Sequence, residues 1–323
     1  MPTQRCGRPD DQVRTDGGGR TDGATATRRG FLAAAGAGVT GVGALGGCVG
    51  TVSLLGGGSA VSVLAAGSLQ SALSDGLEAA VAPEVQVEAH GSVTVARLVA
   101  SGRRDPDVVA LADTALFAAP LSTPWHAAFA TNALVVAYDS GSAGGRAVGS
   151  AERWFDPVLA GEASLGRTDP DLDPLGYRTL FALALATDVY DESALGDRLL
   201  SRDQIYPETT LLGRFETGAV DAAVVYRSMA EDRGYDYVAL PPALDLSDPD
   251  RADAYATASD ELSDGTRVRG APIVYGAMAR RDADAVREVF GTLVGGDYLL
   301  DHGFAVPGGY PTYSGEVPRG FRE

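Results

Sequence analysis

The feature that most constrains the fold is an apolar strand that ends in Gly-Ser and continues as a helix, found twice in close succession. The first copy is a strand over 61–66 followed by Gly67-Ser68, and the second is a strand over 85–89 followed by Gly91-Ser92. A third apolar segment, 107–112, is typical of a buried strand. Because strands that alternate with helices form a sheet covered on both faces, the sequence predicts an α/β fold with a mostly parallel sheet.

Each Gly-Ser junction also has a chemical meaning. The start of a helix leaves backbone N–H groups free, and together with a serine hydroxyl and the helix dipole they favour an anion. Taken singly, Ser68 or Ser92 is more simply explained as a helix cap. Two junctions at equivalent ends of neighbouring strands favour a shared oxyanion site, because ligands bind at the carboxyl ends of such strands.

The rest of the chain predicts a second lobe and a return to the first. Its elements are a long strand over 130–138, a Gly/Ser-rich passage over 139–151, strands over 222–226 and 237–240, a return strand over 271–279, and an amphipathic helix over 286–300. A chain that crosses into a second lobe and later returns predicts two lobes with a cleft between them, as a length of 323 residues allows. We place lobe I at 60–129 and 273–323, and lobe II at 130–272.

The first 47 residues are predicted to be a signal peptide rather than part of the fold. Arg28-Arg29 opens a twin-arginine export motif, and a short segment rich in Gly and Ala follows. The motif Leu-Gly-Gly-Cys, which ends at Cys48, has the form of a lipoprotein processing site. The mature chain would therefore begin at Cys48, carry lipid on its sulfur, and continue through a short tether over 48–59.

This leader predicts a protein that is exported and anchored on the extracellular side of the cell membrane. The chain has two cysteines, Cys6 in the leader and Cys48 in the processing site. The mature domain therefore has neither a disulfide nor thiol chemistry.

The charge of the chain excludes one class of partner. There are 43 acidic residues against 26 basic ones, every basic residue is arginine, and the net charge is −17. Nucleic-acid binding needs a basic surface, so it is not expected. An acidic, lysine-free chain is typical of a high-salt organism, where salt screens the self-repulsion. A compositional bias of the genome is a compatible explanation.

An acidic turn precedes an apolar helical run in the middle of the chain. Asp173 is a good helix cap and Pro174 suits the first helical turn. Asp169, Asp171 and Asp173 have the first three ligand spacings of a calcium loop, but Pro174 replaces the required glycine and Leu180 the bidentate glutamate. We expect Asp169 and Asp171 to be solvated acidic surface.

Candidates for catalysis are few. His90, His126 and His302 show no metal-ligand spacing, and no nucleophile motif or phosphate-binding loop is present in the sequence. A secreted enzyme is therefore the weaker hypothesis, and a binding protein without a cofactor is the stronger one.

Several stretches together carry a resemblance to a known family. They are AGSL (66–69), GSV (91–93), FATNALVVAY (129–138), SLGRTDPDLDPLGYRTL (164–180), ETGAVDAAVVYRSMA (216–230), LPPALDL (240–246) and APIVYGAMA (271–279). In this order they resemble the archaeal tungstate/molybdate-binding proteins of ABC transporters. The resemblance implies a two-lobed, periplasmic-binding-protein-like fold of type II, with one oxyanion held in the cleft between the lobes.

The resemblance also implies a set of ligand-binding residues. The matching positions are Gly67, Ser68, Ser92, Asp173, Pro174, Leu175, Glu208 and Tyr226. Leu175 stands where the family has cysteine, but the contact expected there is through the backbone. Glu208 is assigned by its spacing to Tyr226 in a segment that looks shortened, and Glu216 is the fallback.

In that family an aspartate and a glutamate are thought to bind the tungsten or molybdenum atom itself, which implies that role for Asp173 and Glu208. Their charge would repel sulfate, which does not readily accept further oxygen ligands. The expected ligand is thus tungstate or molybdate, and the alternative is sulfate or another tetrahedral oxyanion. The implied partners are an ABC permease with its ATPase subunit and the membrane through the lipid anchor, and we expect a monomer.

Overall fold

The computed structural model describes residues 60–322, which form two main sheets surrounded by helices. The strands are β1 (Val61–Ala66), β2 (Val85–His90), β3 (Val108–Leu111), β4 (Trp125–Thr131), β5 (Leu134–Tyr138), β6 (Leu165–Thr168), β7 (Asp203–Tyr206), β8 (Ala222–Tyr226), β9 (Tyr237–Ala239), β10 (Ser259–Glu261), β11 (Arg267–Arg269), β12 (Val274–Ala279) and β13 (Thr312–Gly315). The α-helices are α1 (Glu78–Ala80), α2 (Ser92–Ala100), α3 (Ala115–Ala118), α4 (Ala143–Ser150), α5 (Asp156–Ala160), α6 (Pro174–Val189), α7 (Leu195–Leu200), α8 (Glu208–Glu216), α9 (Arg227–Asp232), α10 (Ala252–Tyr255), α11 (Asp284–Gly295) and α12 (Tyr298–Asp301). A 3₁₀ turn (Gly67–Leu69) and a π-helical segment (Ala72–Leu77) lead into α1.

Both main sheets are mixed. The first has the order β13-β4-β12-β3-β1-β2, in which β1 is parallel to β2 and β3 while β12 is antiparallel to β3 and β4. The second has the order β7-β6-β8-β5-β9, in which β6 is parallel to β7 and β8 while β5 is antiparallel to β8 and β9. The prediction of a mostly parallel sheet is therefore wrong. The chain passes between the two sheets at β4, β5 and β12, and these strands run in the direction opposite to that of most of their neighbours, so they pair antiparallel.

The predicted single strand over 130–138 is also wrong. It is two strands, β4 in the first sheet and β5 in the second, with a break at Asn132. The side-chain Oδ1 of Asn132 accepts hydrogen bonds from the backbone N–H groups of Ala133 and Ser228, which replaces the ladder at the break. A continuous apolar run does not reveal such a change of sheet. The chain returns to the first sheet at β12, and the proposed division into two lobes stays a prediction.

The predicted C-terminal helix over 286–300 is two helices, α11 and α12, separated at Gly296. α11 lies against β4 and β12 and buries Val289, Phe290 and Leu293 there. The C-terminal segment thus packs on the first sheet, as the amphipathic pattern predicts. Within residues 60–322, no helix is long and apolar enough to cross a membrane.

Candidate functional site

The parallel strands bring the predicted site residues to one edge of each sheet. In the first sheet Ala66 pairs with His90, so the junctions that begin at Gly67 and Gly91 lie side by side. In the second sheet the parallel pairing of β6 and β7 places the acidic turn after Thr168 beside the start of α8. The site is thus built from the ends of strands, where backbone groups are free to bind.

Glu208 connects the two sheets. It is the first residue of α8 and only 4% exposed, and its Oε2 accepts a hydrogen bond from the backbone N–H of Gly67 at 3.1 Å. A Cβ atom at Gly67 would lie 2.6 Å from that same oxygen. Glycine is therefore required for the carboxylate to approach this closely.

Asp173 lies against the second junction and is completely buried. Its Oδ1 accepts the backbone N–H of Leu175 at 2.6 Å, so the predicted role as the cap of α6 is confirmed. Its other oxygen, Oδ2, has no hydrogen-bond partner among the described residues. A Cβ atom at Gly91 would lie 2.5 Å from the Asp173 Cβ. One oxygen therefore supports the helix, and the other remains available to accept a further contact.

The two carboxyl groups influence each other. Burial raises the pKa of Asp173 to about 7, against the opposing effects of the nearby Thr168 hydroxyl, of backbone N–H groups and of the positive charge of Arg178. Burial, and then the charge of Asp173, raises the pKa of Glu208 well above its usual range, while the Gly67 N–H opposes this shift. Two buried carboxylates close together resist being ionised at the same time, unless a positive or electron-poor group nearby compensates their charge.

Three hydroxyl groups of the predicted set each accept a hydrogen bond from the protein. The Ser92 Oγ accepts from the backbone N–H of Ala112 at 3.0 Å. The Tyr226 hydroxyl accepts from the Arg178 guanidinium at 2.7 Å. The Ser68 Oγ accepts from the Tyr275 hydroxyl at 3.0 Å. The proton of each hydroxyl is thereby left to donate elsewhere.

The remaining predicted residues are placed less directly. Pro174 and Leu175 form the first turn of α6 and are buried, and the Leu175 N–H is already occupied by Asp173. The expected backbone contact of Leu175 with a ligand stays a prediction. Glu216 lies at the end of α8 with a side chain 43% exposed, and it accepts a hydrogen bond from Arg233 instead. The structure therefore brings Glu208, and not Glu216, to the Gly67 junction.

Arg178 is a buried residue of this site that the sequence analysis did not single out. Its Nη1 donates to the Ala112 carbonyl and to the Tyr226 hydroxyl, both at 2.7 Å, and its Nη2 lies 3.4 Å from Asp113. The Tyr177 hydroxyl donates to the same Asp113 carboxylate at 2.6 Å. Arg178 is the one basic residue in the apolar α6, and this isolation in the sequence could have indicated a buried role.

The prediction that Asp169 and Asp171 are solvated acidic surface is wrong. Both are half-buried, because the acidic turn lies between α2 and the β10–β11 hairpin. The Asp171 carboxylate accepts the backbone N–H of Ser263 at 2.7 Å, and its carbonyl accepts Nη1 of Arg97 at 2.6 Å. The Asp169 carboxylate accepts the backbone N–H of Asp171 and shapes the turn.

The histidines lie apart from one another. His90 contacts Glu88, His302 contacts Asp232, and His126 stacks on Phe117. Across residues 60–322, no group of three or more His, Cys, Asp or Glu side chains is arranged to hold a metal ion. The predicted lipidation site, Cys48, lies outside the described residues.

Comparison with known proteins defines the class. Residues 61–284 match the family model for bacterial extracellular solute-binding proteins. A protein of Haloferax volcanii, provisionally named a molybdenum-binding protein of an ABC transporter, is 57% identical over 302 residues, which are 90% of this chain and 96% of that protein. The chain belongs to the extracellular solute-binding protein family. The prediction of a binding protein rather than an enzyme is thereby confirmed.

Two further comparisons agree. A molybdate/tungstate-binding protein of Thermococcus kodakarensis is 31% identical over 227 residues, which are 61% of this chain and 64% of that protein. The solved structure of the sulfate-binding protein SubI from Mycobacterium tuberculosis aligns with a TM-score of 0.52 at 14% identity, over 76% of this chain and 86% of that one. At this identity the structural match speaks for the fold alone. The predicted α/β fold of the periplasmic-binding-protein type is confirmed.

Proposed function

We propose that this solute-binding protein captures tungstate or molybdate and delivers it to an ABC importer. Two relatives support the ligand class, since one carries molybdenum and the other molybdate/tungstate in its name. In this proposal the partners are a permease and its ATPase subunit, and no cofactor is needed besides the ligand.

The observation that carries the proposal is the pair of buried carboxyl groups at the meeting of the two sheets. Asp173 is completely buried with a free Oδ2, and Glu208 is nearly so. In a site for sulfate or phosphate, such a pair would repel the ligand without compensation. Tungsten and molybdenum in their oxyanions can accept additional oxygen ligands. The same two carboxylates would then bind the central metal atom, which would compensate their negative charge.

Other groups of the site would hold the oxygen atoms of the anion. The Ser68, Ser92 and Tyr226 hydroxyls each accept a hydrogen bond from a protein donor, so their own protons remain available to donate. Gly67 presents a backbone N–H at the same edge, now bonded to Glu208. Donors of this kind at helix starts suit sulfate as well as tungstate. The selectivity for tungstate over sulfate would therefore come from the two carboxylates.

The cellular setting is also part of the proposal. The protein would be exported by the twin-arginine route as a monomer. The lipid on Cys48 and the tether over 48–59 would then hold it on the outer side of the membrane, within reach of the permease.

Titration calorimetry on the purified mature chain, in high salt, tests the proposed ligand. We expect tungstate and molybdate to bind far more tightly than sulfate or inorganic phosphate, because only the first two can use the carboxylates. Sulfate that binds as well as tungstate would contradict the metal-ligand role and favour the general oxyanion alternative.

A further inference from the structure

A buried polar chain leads from the crossing between the sheets to the candidate site. It begins at Asn132, which is 1% exposed. The Asn132 Oδ1 accepts two backbone N–H groups, from Ala133 at 3.0 Å and from Ser228 at 3.2 Å. Because only the amide oxygen can accept, these two bonds fix which end of the amide is the donor. The Nδ2 group must then donate on the other side.

The donors of Asn132 determine the direction of the next hydrogen bond. Its Nδ2 lies 2.7 Å from the Ser228 Oγ and 3.4 Å from the Tyr275 hydroxyl oxygen. The Tyr275 hydroxyl therefore accepts from the amide, and its proton is free to donate to the Ser68 Oγ at 3.0 Å. The Ser68 proton therefore does not point at Tyr275, and it is left to donate on the other side, at the junction where the Gly67 N–H meets Glu208.

The other two hydroxyls of the site have the same polarity by independent means. Arg178, which is always protonated, donates to Tyr226, and the backbone N–H of Ala112 donates to Ser92. Arg178 also donates to the carbonyl of Ala112 and so connects these two supports. All three hydroxyls thus keep a proton that can be donated away from their supporting groups, and for a bound oxyanion this would be electrostatic preorganisation.

We propose that Asn132 and Tyr275 are positioning residues that hold the Ser68 hydroxyl as a hydrogen-bond donor to the bound oxyanion. This inference rests on the proposed function and adds a residue pair, absent from the predicted ligand set, that acts through Ser68. Without the Tyr275 hydroxyl, the Ser68 proton can turn to other acceptors. The oxyanion must then compete for a hydroxyl that was previously oriented for it.

A double-mutant cycle tests this coupling. Tungstate affinity is measured by calorimetry for the wild type, Tyr275→Phe, Ser68→Ala and the double variant. We expect Tyr275→Phe to weaken binding about fivefold to tenfold in the wild-type background, as loss of one oriented neutral hydrogen bond would. In the Ser68→Ala background the same change should have less than about a twofold effect, because Tyr275 acts through Ser68.

Tyr255→Phe is the matched control, since Tyr255 is another fully buried tyrosine and its hydroxyl donates to the Pro242 carbonyl away from the site. It should change the melting temperature and leave tungstate affinity unaltered. An equal loss from Tyr275→Phe in both backgrounds would show a packing effect and overturn the positioning role. If the wild type binds neither tungstate nor molybdate, the proposed function fails and this inference fails with it. If the wild type binds but the effects of the two substitutions are additive, this inference alone is wrong.

Discussion

At the scale of single residues, Asp173 has two oxygens with different surroundings. Oδ1 caps α6 through the Leu175 N–H, and Oδ2 has no partner in the described part of the chain. A cap alone does not require complete burial, because caps at exposed helix starts function equally well. Substitutions at this position can therefore separate the structural role of the side chain from ligand binding.

Asp173→Asn should preserve the cap, since asparagine caps about as well as aspartate, and should weaken tungstate binding at least about thirtyfold, or about 2 kcal/mol. Glu208→Gln should behave in the same way. Calorimetry beside melting temperatures measures both effects.

The matched control for this comparison is Asp248→Asn. Asp248 also precedes a proline, and its carboxylate accepts the backbone N–H two residues later at 2.9 Å. It should leave tungstate affinity unchanged. Tighter binding of tungstate by Asp173→Asn would mean that the carboxylate only repels the anion, and the ligand assignment would be withdrawn.

The stability of the ligand-free protein should depend on pH through Asp173. Its pKa is raised by burial to about 7 in the folded state, against about 3.9 in an unfolded chain. Between these values the folded state keeps a proton that the unfolded state has lost, so this contribution to stability is present below about pH 4 and is lost as the pH rises towards about 7. The expected slope is at most about 1.4 kcal/mol per pH unit.

Asp173→Asn has no such titration. Denaturant unfolding of both proteins across this pH range should show the variant gaining stability relative to the wild type as the pH rises. A difference that stays constant with pH would mean that the folded-state pKa of Asp173 is not raised.

At the scale of elements, helix α2 of the first sheet contacts the acidic turn and the β10–β11 hairpin of the second. The backbone N–H of Thr94 donates to the Leu172 carbonyl at 3.1 Å. Arg97 donates to the Asp171 carbonyl and also pairs with Asp264, each at 2.6 Å. The Thr266 hydroxyl, and then Arg97, lowers the pKa of Asp264 to about 2, so this pair stays charged at any ordinary pH. These contacts hold the two sheets together next to the site.

Arg97→Ala should speed ligand release and weaken tungstate binding about threefold to tenfold, because partly exposed ion pairs contribute modestly while the carbonyl contact is lost as well. Stopped-flow dissociation measures the rate. Arg104→Ala is the control, since Arg104 pairs with Glu88 of β2 in the first sheet and this ion pair does not connect the two sheets. Identical release rates for the two variants would show that the Arg97 contacts do not restrain opening.

The sequence predicted those elements whose signal is local. Strands such as β1 and β8 and the Asp173 cap follow from apolar runs and from capping chemistry. The change of sheet at Asn132 was missed, because the apolar run continues across it and only a side-chain contact to Ser228 marks the break. Arg178 and Tyr275 were missed because their roles depend on partners distant in the sequence. The Gly67, Ser92 and Asp173 positions were found because each begins a helix after a strand.

At the scale of the whole molecule, the proposed leader and the described domain would have separate roles. The proposed anchor depends on Cys48 alone, because Cys6 lies in the part of the sequence that the proposed processing would remove. Cys48→Ser should release the protein from membranes without changing its folding or tungstate affinity. Membrane fractionation of cells that express each form, together with calorimetry on the released protein, measures this. A variant that remains in the membrane fraction after its leader has been cleaved would rule out the lipid anchor.

The main chain of α2 and that of the acidic turn lie close together at Gly91, where an added Cβ would lie 2.5 Å from the Leu172 carbonyl oxygen. Backbone therefore faces backbone at this point, and no side-chain rotation can widen the space. If the proposed anion is held between these two elements, an anion too large for the space would keep them apart, and Thr94 and Arg97 would both lose their acceptors. In the proposed site the upper size limit for a ligand would thus be set by the main chain, and steric exclusion at Gly91 would act on all large anions alike, whatever their charge.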